Sequence, residues 1–140
     1  MVNPKASLSV ACLLGLMMMT NQTGIARSTK PSPFDGVWGG DRLQLVMSPK
    51  GGKLESDCAS GAFAGPIKLA KDGSFSARGT FDDHQAGPQK ADDRHNAHPA
   101  RFDGRLQNGI VHLSITPVGD TKGRHYALRK DARIKLIRCY

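Results

Sequence analysis

The sequence has 140 residues, a formal net charge of +8, 16 Gly, 8 Pro, 3 Cys and few aromatics (one Trp, two Tyr, five Phe). That length supports one domain rather than two. Frequent Gly and Pro, with no apolar repeat of 3.6 residues, exclude a helical bundle.

The N-terminus reads as an export address. Lys5 precedes an apolar run from Leu8 to Met19, and the small residues Gly24 and Ala26 fit a signal-peptidase site. The run is too short for a membrane span. Cys12 does not read as a lipidation site, because Ser9 stands three positions before it and most of the apolar run follows it. The expected organisation is a signal peptide over 1–26, an extended leader over 27–35 and a single β-domain over 36–140. The expected location is therefore secreted or periplasmic, with no transmembrane segment in the mature chain.

Beyond the leader, apolar residues alternate with period two, which is the strand pattern. Leu43, Leu45 and Met47 share one face, followed by a turn at Ser48-Pro49-Lys50-Gly51-Gly52. Leu54 and Cys58 fall on one face, which predicts an inward Cys58. Ala62-Phe63, Ile67 and Leu69 continue the alternation to a turn at Lys71-Asp72-Gly73. Phe75, Ala77, Gly79 and Phe81 share the next face. Residues 83–99 lack any large apolar side chain and read as a long loop. Phe102, Gly104 and Leu106 resume the pattern. Asn108-Gly109 is a hairpin signal, because both residues tolerate positive φ. Val111, Leu113 and Ile115 follow, then Tyr126 and Leu128. The segment 133–139 reads as a last strand whose inward face is either Ile134/Leu136 or Ile137/Cys139. The expectation is an all-β domain of about eight strands, a small antiparallel barrel or sandwich. Loss of the signal peptide leaves two cysteines, Cys58 and Cys139. An even count in a small exported domain predicts one disulfide between them.

Several clusters resemble an uncharacterised family of small exported bacterial β-domain proteins. They are Trp38-Gly39-Gly40, Asp57-Cys58-Ala59-Ser60-Gly61, Pro66-Ile67, Gly79-Thr80, Gly87-Pro88, Pro99-Ala100-Arg101-Phe102-Asp103-Gly104 and Arg138-Cys139-Tyr140. The resemblance implies export, a two-cysteine pattern and a β fold, and brings no activity. That family usually has tyrosine where this chain has Phe102. Gly36-Val37-Trp38 also resembles the Gly-x-Trp start of calycin-type barrels. That likeness makes Gly36 and Trp38 the structural start of the barrel, and implies a late arginine, Arg133 or Arg138, packed over the indole.

Three constellations bear on function. His84, His95, His98, Asp83 and Asp93 are candidate ligands for a divalent transition metal, with a solvated polar loop as the alternative. Lys122, Arg124, Arg129, Lys130, Arg133 and Lys135 are candidates for a polyanion-binding face, with an ordinary solvated strand as the alternative. The serines lack a nucleophile elbow, and adjacent aspartates on a strand point opposite ways. No catalytic residue is assigned, no enzyme activity is expected and no cofactor is expected. The expected function is binding, to an anionic envelope component or a protein target. Nucleic acid is not an expected partner. The alternative is an envelope-associated inhibitor, or a polyanion or metal binder, acting through the 83–99 loop or the basic C-terminal face.

Overall fold

The computed structural model describes residues 30–83 and 97–137, all strand, turn or irregular chain with no helix among them. Eight strands follow one another: β1 (Gly36–Gly40), β2 (Leu43–Ser48), β3 (Gly51–Ser56), β4 (Ala59–Ala64), β5 (Ser74–Asp83), β6 (His98–Gln107), β7 (Ile110–Pro117) and β8 (Arg124–Lys130). Each pairs antiparallel with the next, and β8 returns to β1, giving a closed up-and-down barrel. The expected strand number and architecture hold, but the set differs by one. Gly36–Gly40 is the first strand, whereas 133–139 forms none within its described part, 133–137.

Alternation within the strands sets what faces in. Leu43, Leu45, Met47, Leu54, Phe63, Phe75, Phe81, Phe102, Val111, Leu113, Ile115 and Leu128 are all buried. The interior is filled by rings. Phe34 meets Phe75 edge-on at 5.1 Å, and Phe63 lies 6.0 Å from Phe75 and 4.9 Å from Phe102. Phe34 comes from the leader, yet it is only 1% exposed and closes the lower end of the barrel. The Trp38 indole N–H donates to the Phe34 carbonyl at 2.7 Å and holds it there.

Rings of this size fit because glycines stand opposite them. Gly52 pairs with Phe63, Gly104 with Phe75 and Gly61 with Phe81. A methyl group on Gly52 or Gly104 would overlap the facing ring. The thin aliphatic content of the sequence is thus offset by aromatic volume, with glycine making the room.

The β1–β8 seam is short, with Trp38 opposite Lys130 and Gly39 opposite Arg129. Beyond it the chain turns at Asp131 and Ala132, passes outside Gly39 of β1 with Ile134 beside it, and reaches the β3–β4 turn as a strap over 133–137. Gly39 is buried under this strap, where an added methyl would strike the Ala132 carbonyl. Ala132, Ile134 and Leu136 are half-buried while Arg133, Lys135 and Ile137 are exposed, so the strap keeps a period of two without a ladder. Its far end is held where the Ile137 N–H donates to Asp57 Oδ1 at 2.7 Å. Cys58 faces solvent rather than inward, because β3 ends at Ser56 and Asp57-Cys58 is the turn into β4.

Ile67 and Leu69 pack on the core from irregular chain, not from a strand. Asn108-Gly109 forms the expected hairpin, with φ of 52° and 75°. Asp41-Arg42 makes a second two-residue turn with φ of 48° and 59°, costly for residues with a Cβ. Side-chain bonds offset that cost. Asp41 Oδ2 accepts from the Ala127 N–H at 2.7 Å, across the seam, and Arg42 pairs with Asp57.

Candidate anion-binding wall

Connectivity divides the barrel into two ends. The β1–β2, β3–β4, β5–β6 and β7–β8 connections gather at the upper end; the leader and the remaining connections gather at the lower end. The sequence-level candidates separate accordingly. Arg124 is at the upper end, where its guanidinium lies 5.1 Å from the Phe81 ring and grips Asp83 with two bonds of 2.6 and 2.5 Å. Its pKa is raised, chiefly by the hydrogen bond to Asp83. Beside it, burial pushes the Tyr126 phenol up. Lys130 is at the lower end, its ammonium 5.8 Å from the Trp38 ring. Each of these two cations caps an aromatic ring at one mouth of the barrel. Arg133 and Lys135 are exposed on the strap, Lys122 is in the β7–β8 turn and Arg129 is on β8. Arg124 and Lys130 stand at opposite ends of β8 on the alternation side of the buried Leu128, and Arg129 lies on the other side.

The calycin likeness leads to an arginine over the indole, and the structure places Lys130 there instead. Arg133 is exposed, and Arg138 lies outside the described residues. Of the metal candidates, His84, Asp93 and His95 lie outside the described residues. Asp83 has both oxygens on Arg124, and His98 is exposed at the start of β6. Among the described residues no group of three His, Cys, Asp or Glu side chains is placed to hold a metal ion.

What the sequence reading missed is the outer wall of β5, β6 and β7. Register brings Arg78 opposite Arg101, Ser76 opposite Asp103 and Ser74 opposite Arg105. Asp103 in turn faces Ser114, and Arg105 faces His112. The small serines leave a shallow open recess of about 470 Å³ lined by Lys68, Ser74, Ser76, Arg101, Arg105 and His112 among others. Next to it, and sharing His112, a second recess of about 350 Å³ runs to His125, Tyr126 and Asp41.

The wall holds its guanidiniums loosely. Arg101 Nε is 2.9 Å from Asp103 Oδ2, and Arg105 Nη2 is 2.6 Å from Asp72 Oδ2. The arginine side chains are 63% and 55% exposed, and such solvated pairs are worth about 0–1 kcal/mol. The Ser74 hydroxyl and amide hold the Asp72 carboxyl below its ordinary value, so Asp72 is already satisfied from its other side. Arg78 and Arg101 are like charges directly opposite one another, an unfavourable cross-strand pair. Among the described residues no carboxylate forms an ion pair with Arg78 or Lys68. An anion laid on this wall would relieve that repulsion.

One signal in the sequence leads to part of this wall. Asn108-Gly109 fixes the β6–β7 register, and that register sets Arg105 against His112. Arg78 opposite Arg101 depends on the long β5–β6 connection, whose register no short motif fixes.

Compared with protein-family models, curated proteins and solved structures, the chain shows no match. Its fold defines its class: a closed eight-stranded antiparallel barrel with an interior packed by side chains.

Proposed function

We propose that this chain is an exported binding domain that holds an acidic polysaccharide of the cell envelope against the outer wall of β5–β7. The observation that carries the reading is the Arg78–Arg101 juxtaposition, a repulsive pair whose Arg101 lines, with Arg105 and Lys68, an open, serine-floored recess. The filled interior supports an exterior rather than an interior site. The apolar run Leu8–Met19 and the Gly24-Ile25-Ala26 site support export. A Cys58–Cys139 disulfide belongs to the same reading. Cys139 lies outside the described residues, but the Ile137–Asp57 bond brings the chain two residues short of it beside the turn that carries Cys58. Alkylation of both cysteines without prior reduction, read by mass spectrometry, would refute the disulfide.

Retention on immobilised heparin tests the binding surface. Replacing Arg78, Arg101 and Arg105 by Gln should move elution to clearly lower salt. Replacing Lys122, Arg133 and Lys135 by Gln removes the same charge elsewhere and should move it much less. Equal shifts for the two triple variants would show a response to net charge alone and end the proposal.

A further inference from the structure

We infer that the anion-binding surface continues round the barrel, from the β5–β7 wall into the adjoining recess on β7–β8, and that this second part engages only when His112 and His125 are protonated. The domain then holds its polyanion more tightly as pH falls. The inference rests on the proposed wall and adds to it an extent and a regulator. The two recesses meet at His112, which lines both. His112 lies opposite Arg105 on β6 and Ala127 on β8, and His125 lies opposite Ser114 on β7. The imidazoles are therefore diagonal neighbours on adjacent strands, beside the small side chains of Ser114 and Ala127. Both are exposed, and among the described residues neither has a hydrogen-bond or ion-pair partner.

Charge separates the two parts of the surface. The first recess is positive whatever the state of its histidine, because Lys68, Arg101 and Arg105 outnumber Asp103. The second has Asp41 as its one charged group while the imidazoles are neutral, and so it repels an anion. Asp41 Oδ2 accepts the Ala127 N–H, but the carboxylate keeps its charge. Tyr126 also lines this recess and stays neutral, since burial pushes its phenol up. Protonation of both histidines turns the recess from one formal negative charge to one positive. Histidine is the side chain whose charge changes between pH 5 and 8. Arg105 directly opposite His112 and Arg129 diagonal to it oppose that protonation. Asp103, diagonal on β6, favours it at His112, and Asp41 favours it within the second recess. A polyanion lying over Arg105 shields the repulsion and pairs with the imidazolium. Ligand and proton therefore bind cooperatively, and affinity rises as pH falls.

Heparin tests this, because its sulfates stay ionised throughout. Its affinity for the full chain is measured at one ionic strength, at about pH 8 and about pH 5.5, and the readout is the ratio of the two. Wild type is expected to bind about three- to tenfold more tightly at the lower pH, the range for two added solvent-exposed contacts. The double variant His112→Gln/His125→Gln should lose most of that gain. The double variant His112→Lys/His125→Lys carries its charge at both pH values and should bind at the higher pH about as tightly as wild type does at the lower. A ratio near one in wild type would overturn the inference and leave the wall intact. So would a gain that survives the glutamine substitutions and thus belongs to the other histidines. Failure of the Arg78, Arg101 and Arg105 substitutions to weaken binding at the higher pH would remove the wall itself, and the inference with it.

Discussion

Replacing Gly104 by alanine tests the packing logic of the barrel at its most demanding point. Gly104 lies opposite Phe75, and a methyl group built on it would stand 2.5 Å from Cζ and 3.0 Å from Cδ1 of that ring, with Cε1 nearer still. The ring has no room to retreat, since Phe34 packs on its edge and Phe63 on its face. Gly104 is not among the positive-φ glycines, so alanine suits its backbone. The smaller unfolded-state entropy of alanine favours the variant by about 0.4–1 kcal/mol. Overpacking opposes it by about 1–3 kcal/mol. The net expectation is a loss of about 1–2 kcal/mol, or roughly 4–15 °C in Tm for a domain of this size.

The cause is isolated by a second substitution. Phe75→Leu alone should cost about 1–2 kcal/mol through lost ring volume. Combined with Gly104→Ala, the new methyl enters the space that the ring has left. The double variant should then be more stable than the sum of the single effects by at least about 0.5 kcal/mol. Urea denaturation with an unchanged m-value measures all three variants. A neutral Gly104→Ala, or strictly additive effects, would refute the claim that glycines make room for rings.

Three further outcomes follow from other contacts. Trp38→Phe removes the buried donor to the Phe34 carbonyl and should cost about 1–3 kcal/mol in urea denaturation. The Asp57 carboxyl is held below its ordinary value of 3.8, first by the Ile137 N–H and then by Arg42. Its contribution is complete above that ordinary value and disappears as pH falls through the lowered one, so the Ile137 amide should lose exchange protection only in strong acid, and Asp57→Asn should flatten that acid response. If the Cys58–Cys139 bridge forms, Cys58→Ser should lower stability by at most about 4.5 kcal/mol, read as the change in urea midpoint between oxidised wild type and variant.

The fold was legible where side chains alternate on their own. Phe75, Phe81, Phe102, Val111, Leu113 and Ile115 all face inward as their spacing requires, and Asn108-Gly109 turns where its φ preferences demand. The last segment misled because alternation measures one-sided burial, not hydrogen bonding. Ile134 and Leu136 are both half-buried, Ile134 beside Gly39 on the outside of β1, and that one-sided burial imprints the same period as a ladder. Cys58 misled because the period was carried through a turn. Gly36–Gly40 hid the first strand behind three glycines, one of which lies under the strap while another lies against β8. The wall was hidden for a different reason: its cations come from 68, 78, 101 and 105, and only barrel closure and strand register unite them.

The same packing that fills the barrel explains why its cations are so unequal. Arg124 and Lys130 lie over rings at the two mouths, where exposed guanidinium and ammonium groups shield the aromatic edges of the core from water. These two charges are spent on closure. Arg78, Arg101 and Arg105 contribute nothing comparable to the fold: they lie on the outward side of strands already held by their ladders, and two of them repel each other. A barrel stabilised from within has no need of such an arrangement on its outside, so these positions are the ones to change when asking what the surface is for.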